Sequence, residues 1–179
     1  SFPTRRSSDL CARAARETGL HVEGANYNCP GQVVVSGHTE AVERCMALAV
    51  QVGGRAVRLS VTAPFHSRLL APAGERLAEA LAAVPLRPAQ IPVVANVTAD
   101  YVTDPAEIRR LLIEQVSRPV RWEESVRRMI ADGVDTFVEV GPSRTLTGFL
   151  RKIDKGVRAL QVEDPASLGR VLDSLGRVC

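Results

Sequence analysis

The feature that most constrains the fold is an alternation of helical apolar stripes with short apolar runs that begins near residue 62. One helix face carries Leu77, Ala80, Leu81 and Val84. The run 92–95 follows that helix and has the length and composition of a buried strand. Asp104 then offers an N-cap acceptor before Pro105, a pair that is typical of a helix start. The alternation predicts an α/β fold with a mainly parallel sheet.

The same pattern continues to the end of the chain. The further predicted elements are a helix from Trp122 that stops at Gly133, a strand over 136–140, a helix from Leu146 to Ile153, a strand over 159–162 and a helix capped by Asp164. We assign residues 62–179 to one region on this basis, the C-terminal part of a larger α/β unit.

The preceding region has a different order of elements. Its predicted elements are a helix over 11–18, strands over 25–28 and 32–36 joined by a turn at Pro30 and Gly31, a helix from Glu40 with Thr39 as N-cap, and a half-buried strand over 57–61. The order helix, strand, strand, helix, strand is that of a ferredoxin-like unit without its first strand. We therefore predict an incomplete ferredoxin-like subdomain over residues 11–61.

The first ten residues are treated separately. SFPTRRSSDL has neither helical nor strand periodicity, and it matches the translation expected when a common sequencing-library adapter is read in frame. We therefore interpret residues 1–10 as a non-native segment and leave them out of the fold prediction. The alternative is a disordered native N-terminus.

Composition and charge exclude several classes of protein. No apolar run approaches the roughly 18 residues of a membrane span, and no signal-peptide pattern is present, so we expect a cytoplasmic protein without a membrane partner. The four cysteines form no C-x-x-C pair and lack zinc-site spacing, which favours reduced thiols over a metal site. A net charge of +3 and an aromatic content of 4% give nucleic-acid binding little support.

One histidine stands out as a candidate for chemistry. His66 lies in the stretch VTAPFHSRLL, after an alternating apolar run and directly before a predicted helix. Unperturbed histidine titrates near neutral pH, which suits proton transfer. Pro64 lacks an N–H group and would end the strand, so the His66 ring could project into a cleft between the two regions. The alternative is a histidine whose ring is satisfied by backbone groups.

Several segments together resemble a known family. The segments are ANYNCPGQVVVSGHTEAVER (25–44), APFHS (63–67), IPVVAN (91–96), PVRWEESV (119–126) and VEVGP (138–142). Their order and spacing resemble the malonyl-CoA:acyl carrier protein transacylase family of acyltransferases over residues 11 to 177. The resemblance implies a ferredoxin-like small subdomain inserted in an α/β hydrolase-like acyltransferase subdomain, of which this chain carries the C-terminal part.

The resemblance also implies a reaction and its partners. Members of the family move a malonyl group from malonyl-CoA to the phosphopantetheine thiol of acyl carrier protein by a ping-pong mechanism, in fatty acid biosynthesis and without a cofactor. His66 matches the family's histidine, the general base and acid. The backbone carbonyl of Gln115 matches the acceptor that orients this histidine and fixes its tautomer.

Three further residues match positions near the acyl group. Phe65 precedes the histidine, and its bulk is implied to favour malonyl over α-branched acyl groups. The alternative is that Phe65 only packs at the subdomain boundary. Asn26 and Asn28 match asparagines near the family's acyl site, although asparagines beside Pro30 and Gly31 are also common turn residues.

The family's nucleophile is the residue that the sequence does not supply. A serine in a G-H-S-x-G turn is implied by the resemblance, and no G-x-S-x-G occurs in this chain. Gly37, His38 and Thr39 imitate its beginning, but Thr39 fits a helix N-cap and His38 a surface turn. We therefore expect a truncated reading frame whose product is an inactive fragment.

Two other functions remain open. The first is the acyltransferase domain of a modular polyketide synthase, which would show linker sequence after residue 177. The second is a non-catalytic module whose arginines, Arg44, Arg55 and Arg58 among them, dock an acidic carrier protein. Clusters of charge are more often solvated faces, which weakens the second interpretation.

Overall fold

The computed structural model of the chain describes residues 4–176, with side chains from residue 7 onward. The chain divides into two compact units, residues 1–125 and residues 126–179. The helices are α1 (Thr4–Thr18), α2 (Thr39–Gln51), α3 (Ala71–Ala82), α4 (Pro105–Glu114), α5 (Trp122–Ala131), α6 (Thr145–Ile153) and α7 (Pro165–Leu175). The strands are β1 (Val22–Cys29), β2 (Gln32–Gly37), β3 (Val93–Ala95), β4 (Asp100–Val102), β5 (Thr136–Val140) and β6 (Arg158–Val162). The predicted subdomain boundary at residues 61 and 62 stays a prediction.

The hairpin and two helices form the main core of the first unit. Strands β1 and β2 pair antiparallel, and Gly31 takes a positive φ of 80° in the turn between them, as a residue without Cβ can. The core contains Cys11, Ala14, Val22, Ala41, Cys45 and Leu48. These residues come from one face each of α1, β1 and α2, so the hairpin and both helices bury a common apolar interface. The predicted hairpin is confirmed.

Two predicted helix starts in this unit are wrong. Helix α1 begins at Thr4 rather than near residue 11, so residues 4–10 are helical although no periodicity was recognised in them. The N-cap of α2 is His38 rather than Thr39, because Thr39 already belongs to the helix and no side chain caps it. Whether residues 1–10 are native to the protein stays untested, and residues 1–3 lie outside the described part of the chain.

The predicted strand over 57–61 is also wrong. Its apolar side chains are solvent-exposed, Val57 to 63%, Leu59 to 52% and Val61 to 61%. Within the described residues the segment belongs to no β-sheet, and the hairpin is completed without it. An alternating sequence forms a strand only where another strand accepts and donates its backbone hydrogen bonds. The segment therefore has the sequence pattern of a strand without a pairing partner.

Strand β3 lies in an antiparallel pair with β4 rather than in a buried parallel sheet. Val93 is 53% exposed, so the prediction of a buried strand at 92–95 is wrong. Asp104 caps α4 as predicted, since its carboxylate accepts the N–H of Glu107 at 2.8 Å. The position and the start of α4 are thereby fixed by local sequence.

The second unit contains the parallel pair. Strands β5 and β6 pair in parallel from Thr136 and Arg158 to Val140 and Val162. Helix α7 begins with a capping box in which Asp164 and Ser167 satisfy each other's backbone N–H groups. The α/β class is confirmed. Of the three two-stranded sheets in the described residues, only this one is parallel, so the expectation of a mainly parallel sheet is met only in this unit.

Candidate active site

The site is built around a contact between two residues that the sequence analysis paired. The Nδ1 atom of His66 lies 2.9 Å from the backbone carbonyl oxygen of Gln115. A carbonyl oxygen only accepts, so Nδ1 carries the proton in this bond and Nε2 of the neutral ring keeps its lone pair. Within the described residues no hydrogen bond occupies Nε2. The ring is therefore oriented to accept a proton at Nε2.

The backbone of His66 is strained. Its φ is +57°, in the left-handed region that side chains with a Cβ rarely adopt. A residue held there costs of order 1–3 kcal/mol and persists only when its surroundings impose the conformation. Such residues concentrate at functional sites. Strain therefore favours the catalytic interpretation over a histidine that is merely satisfied by backbone.

The residues that follow His66 are tightly anchored. The Ser67 side chain is fully buried, and its oxygen accepts the N–H of Leu69 at 3.3 Å, at the start of a 3₁₀ turn over Arg68–Leu70. The backbone N–H of Arg68 donates to a carboxylate oxygen of Glu23 at 2.7 Å. Glu23 lies on β1, 45 positions earlier in the chain. The loop that carries His66 is thus attached to the hairpin.

Gln115 is held from both its backbone and its side chain. Its N–H donates to the carbonyl of Leu111 at 3.0 Å, at the C-terminal end of α4. The side-chain amide of Asn96 donates to the Gln115 Oε1 atom at 3.2 Å. Carbonyl groups at the end of a helix have no intrahelical partner, which leaves the Gln115 oxygen free to accept from His66. The acceptor is therefore also held by contacts other than the one to the His66 ring.

Segment 119–121 connects this helix end to β1. Val120 donates to the carbonyl of Ala25 at 2.8 Å and accepts from the N–H of Tyr27 at 2.9 Å, so it extends the hairpin as a single parallel bridge beside Asn26. Arg121 donates from its backbone to the carbonyl of Asn96 at 3.0 Å. Three of the segments that carry the family resemblance, 25–44, 91–96 and 119–126, are therefore joined by backbone hydrogen bonds.

Asn26 and Asn28 lie on β1, where the pairing with β2 shifts in register between Gly24 and Asn26 and again between Tyr27 and Cys29. Both asparagines are half-buried. Neither forms a hydrogen bond to His66 in the described part of the chain. Their role at an acyl site stays a prediction.

Phe65 directly precedes His66 and is 53% exposed. A ring that contributed mainly to packing would be largely buried, so its exposure does not support a packing role within this unit. An exposed aromatic ring beside the candidate base is available to contact a bound acyl group. Its role in selecting that group stays a prediction.

The Glu23 carboxylate has a perturbed pKa. Partial burial of the carboxyl group raises its pKa. Hydrogen bonds from the His21 ring, the Arg68 N–H and the Ser67 hydroxyl lower the pKa by more than burial raises it, so the net pKa lies below the usual value. The carboxylate is therefore charged at neutral pH. The distance from its Oε1 atom to Nε2 of His21 is 2.7 Å.

Sequence reasoning missed Glu23, Ser67 and Asn96. Ser67 and Asn96 lie inside the recognised APFHS and IPVVAN segments, so their positions were visible although no role was assigned to them. No local signal pairs Glu23 with a backbone group 45 positions away.

No group of three or more histidine, cysteine or acidic side chains in the described residues could hold a metal ion. None of the described helices is long and apolar enough to span a membrane.

Comparison with known proteins identifies the family to which the chain belongs. Residues 8–174 match the acyl transferase domain family, and the chain belongs to that family. The chain is 44% identical over 160 residues to the malonyl CoA-acyl carrier protein transacylase of Bacillus subtilis, a match that covers 89% of this chain and 50% of the relative. The resemblance that the sequence segments indicated is confirmed.

Solved structures show the same similarity. The acyl-carrier-protein S-malonyltransferase of Burkholderia pseudomallei 1710b is 38% identical with a TM-score of 0.92, over 97% of this chain and 56% of that chain. A malonyl-transacylase solved in complex with its type II PKS acyl-carrier protein is 36% identical with a TM-score of 0.93, over 97% of this chain and 56% of that chain. The chain spans about half the length of the curated relatives it matches.

Proposed function

We propose that this chain is the histidine-bearing half of a malonyl-CoA:acyl carrier protein transacylase of fatty acid biosynthesis. The observation that carries the proposal is the contact from His66 Nδ1 to the Gln115 carbonyl, in a loop where His66 has a strained backbone. The similarity to malonyl transacylases supports the choice of substrates. The proposed location of the reaction is the cytoplasm.

In the proposed first half-reaction, Nε2 of His66 accepts the proton of a serine hydroxyl as the serine oxygen attacks the thioester carbon of malonyl-CoA. The carbon–sulfur bond then breaks, and the coenzyme A thiolate takes the proton from the imidazolium. The products are a malonyl-serine ester and free coenzyme A. The Gln115 carbonyl stabilises the transient imidazolium through the Nδ1 hydrogen bond.

The second half-reaction reverses these roles. Nε2 of His66 accepts the proton of the phosphopantetheine thiol as the sulfur attacks the ester carbon, and the serine oxygen leaves with that proton. The reaction exchanges one thioester for another and needs no oxidant, reductant or prosthetic group. Only a base that can accept and return a proton near neutral pH is required, a property of histidine.

The proposed serine is not among the residues of this chain, in which no G-x-S-x-G occurs. We therefore propose that the isolated chain does not transfer malonyl groups. Fusion of the chain to the nucleophile-bearing half of the Bacillus subtilis relative would supply the serine. In this fusion enzyme, residues of the present chain keep the roles that we assign to them.

Intact-mass analysis after incubation with malonyl-CoA tests the proposal. The isolated chain is expected to keep its mass, and the fusion enzyme is expected to gain one malonyl group. A malonyl adduct on the isolated chain would contradict the proposed inactivity. A correctly folded fusion enzyme that gains no malonyl group would contradict the proposed reaction.

A second candidate is a transacylase that loads a polyketide carrier protein. One observation favours it, the similarity to a malonyl-transacylase in complex with a type II PKS acyl-carrier protein. The two candidates share their chemistry and differ only in the carrier. Comparison of transfer rates to fatty acid and polyketide carrier proteins distinguishes them.

The carrier-binding module receives less support from the surface charges. Arg44 forms an ion pair with Glu17, and Arg58 forms one with Glu43 at 2.6 Å. Internal pairing reduces the positive charge that these side chains could offer to an acidic partner. A binding assay in which the His66→Ala variant still retains the carrier, without any acyl transfer by the fusion enzyme, would favour the module.

A further inference from the structure

We propose that Glu23 is a positioning residue for His66, because its carboxylate holds the backbone that follows His66 and so keeps the ring in the orientation in which Nδ1 donates to Gln115. The inference rests on the proposed function, since the orientation of the ring matters only if His66 is the base. Among the described residues no hydrogen bond joins Glu23 to His66, and Glu23 acts through the loop.

The first argument is the position of the contacts. Glu23 accepts the N–H of Arg68 at 2.7 Å, and the Ser67 hydroxyl helps to lower the pKa of the same carboxyl group. Ser67 and Arg68 are the two residues that follow His66. A backbone fixed there limits the conformations that His66 can adopt, because the next peptide planes cannot rotate freely.

The second argument is strain. His66 has a φ of +57°, which would relax to negative values if the loop were free. A backbone hydrogen bond on the C-terminal side of His66 opposes this relaxation, because the loop would have to break the bond before the φ angle could change. The anchor and the strained residue are adjacent, as this explanation requires.

The third argument is the orientation of the carboxylate itself. Its Oε1 atom also lies 2.7 Å from Nε2 of His21, a residue of which 14% of the side chain is exposed. Because Glu23 lies on β1, which Val120 bridges close to the Gln115 segment, one strand is tied to both partners of the His66 contact. Glu23 therefore links the donor loop to the same strand that supports the acceptor.

The test reads the tautomer of His66 in the full chain without any substrate. Long-range ¹H–¹⁵N spectra are recorded at a pH where His66 is neutral. In the parent chain Nδ1 is expected to be the protonated nitrogen. In Glu23→Ala the population of the tautomer protonated at Nε2, which free imidazole side chains favour, is expected to rise. The ¹⁵N chemical shifts of Nδ1 and Nε2 of His66 then move toward each other. Glu23→Gln, which keeps an acceptor for the Arg68 N–H, is expected to stay close to the parent.

Glu43→Ala is the matched control. It removes a carboxylate from the exposed ion pair with Arg58 and is expected to leave the His66 signals in place. A purely structural role for Glu23 would lower stability without changing the tautomer. The proposal is overturned if Glu23→Ala and Glu43→Ala give the same His66 signals.

If the amide signals of Glu23→Ala lose the chemical-shift dispersion of a folded chain, two further measurements test the proposal. Glu23→Asp keeps the charge but is shorter, so the tautomer is expected to shift in the same direction, and an unchanged tautomer overturns the proposal. In the parent chain the Arg68 amide is expected to be protected from hydrogen exchange, and rapid exchange at that amide also overturns it. None of these readouts depends on acyl transfer, so a failure of the proposed function would be seen separately in the malonyl-loading experiment.

Discussion

His66 and Gln115, 49 positions apart in the chain, meet through a hydrogen bond of 2.9 Å between a ring nitrogen and a backbone carbonyl. A backbone acceptor differs from the carboxylate of a Ser-His-Asp triad, because it cannot be removed by replacing its side chain. It also accepts only from Nδ1, so it fixes the tautomer of the ring. The proposed base is thus oriented by a carbonyl group at the end of a helix.

Replacement of Phe65 is expected to relax acyl selectivity. Phe65 is 53% exposed beside His66, and its removal would make room for the methyl group of an α-branched substrate. One methyl group in a pocket changes specificity by about 10–200-fold. In the fusion enzyme, Phe65→Ala should raise kcat/KM for methylmalonyl-CoA relative to malonyl-CoA by at least about tenfold. Leu59→Ala, at a side chain that is 52% exposed, is the control and should leave the ratio unchanged.

Leu48 is expected to be a major contributor to stability. It is 1% exposed in the core shared by α1, β1 and α2. Leu48→Ala should lower the free energy of unfolding by about 2–5 kcal/mol, the range found for buried leucines. Val50→Ala, at a residue of the same helix that is 58% exposed, should stay within about 0.5 kcal/mol. Urea unfolding of both variants measures the difference, and equal losses would contradict the assigned core.

Glu139 should make stability depend on pH. Burial raises the pKa of its carboxyl, but hydrogen bonds from the Thr147 side chain and backbone, the Leu146 N–H and Ser143 outweigh this effect and lower the pKa overall. The contribution to stability is therefore present above the ordinary carboxyl pKa and lost as the pH falls through the lowered one.

The expected result is a lower Tm for Glu139→Gln than for the parent at neutral pH, with a difference that disappears at acidic pH. The physical reason is that the charged carboxylate caps the start of α6, whose own N-cap, Arg144, forms no side-chain cap. Thermal melts at a series of pH values measure this. Glu79→Gln, on the exposed face of α3, serves as the control. A pH-independent difference for Glu139→Gln would rule out the charged cap.

The chain is expected to self-associate through its exposed sheet edges. Val140 is 80% exposed and Val93 is 53% exposed, each in a two-stranded sheet of the described residues. Exposed apolar edge strands pair with other chains, and a lysine on the edge opposes this. Sedimentation velocity should show association that grows with concentration and weakens in Val140→Lys, but not in Val50→Lys. A monomer at all concentrations with one sharp melting transition would count against this prediction.

Local signals were sufficient for much of the fold. Caps such as Asp104 and Asp164 and turns such as Gly31 act over a few residues, so the starts of α4 and α7 and the hairpin could be predicted from sequence. The pairing of segments that are distant in the chain could not be predicted in this way. The alternating run 57–61 satisfies every local criterion for a strand, but pairing is a non-local property, and no strand of the described residues pairs with it.

The candidate site was predictable to a similar extent. The family segments pointed to His66 and the Gln115 carbonyl, and the structure brings these two groups together. The strain at His66 and the anchor at Glu23 depend on a backbone angle and on a contact over 45 positions. Neither leaves a pattern in a single sequence. They become visible only when the hairpin and the histidine loop are seen in one fold.

The most direct test of the central claim is the rate of malonyl transfer to acyl carrier protein by the fusion enzyme and by its His66→Ala variant. General acid–base catalysis contributes about 10²–10⁴-fold, so the variant is expected to lose activity by that factor. Gln115→Ala keeps the backbone carbonyl and is expected to lose less than about tenfold, the value of one side-chain hydrogen bond. His38→Ala, at an exposed histidine, should be as active as the parent. Transfer by His66→Ala at the rate of the parent would contradict the account.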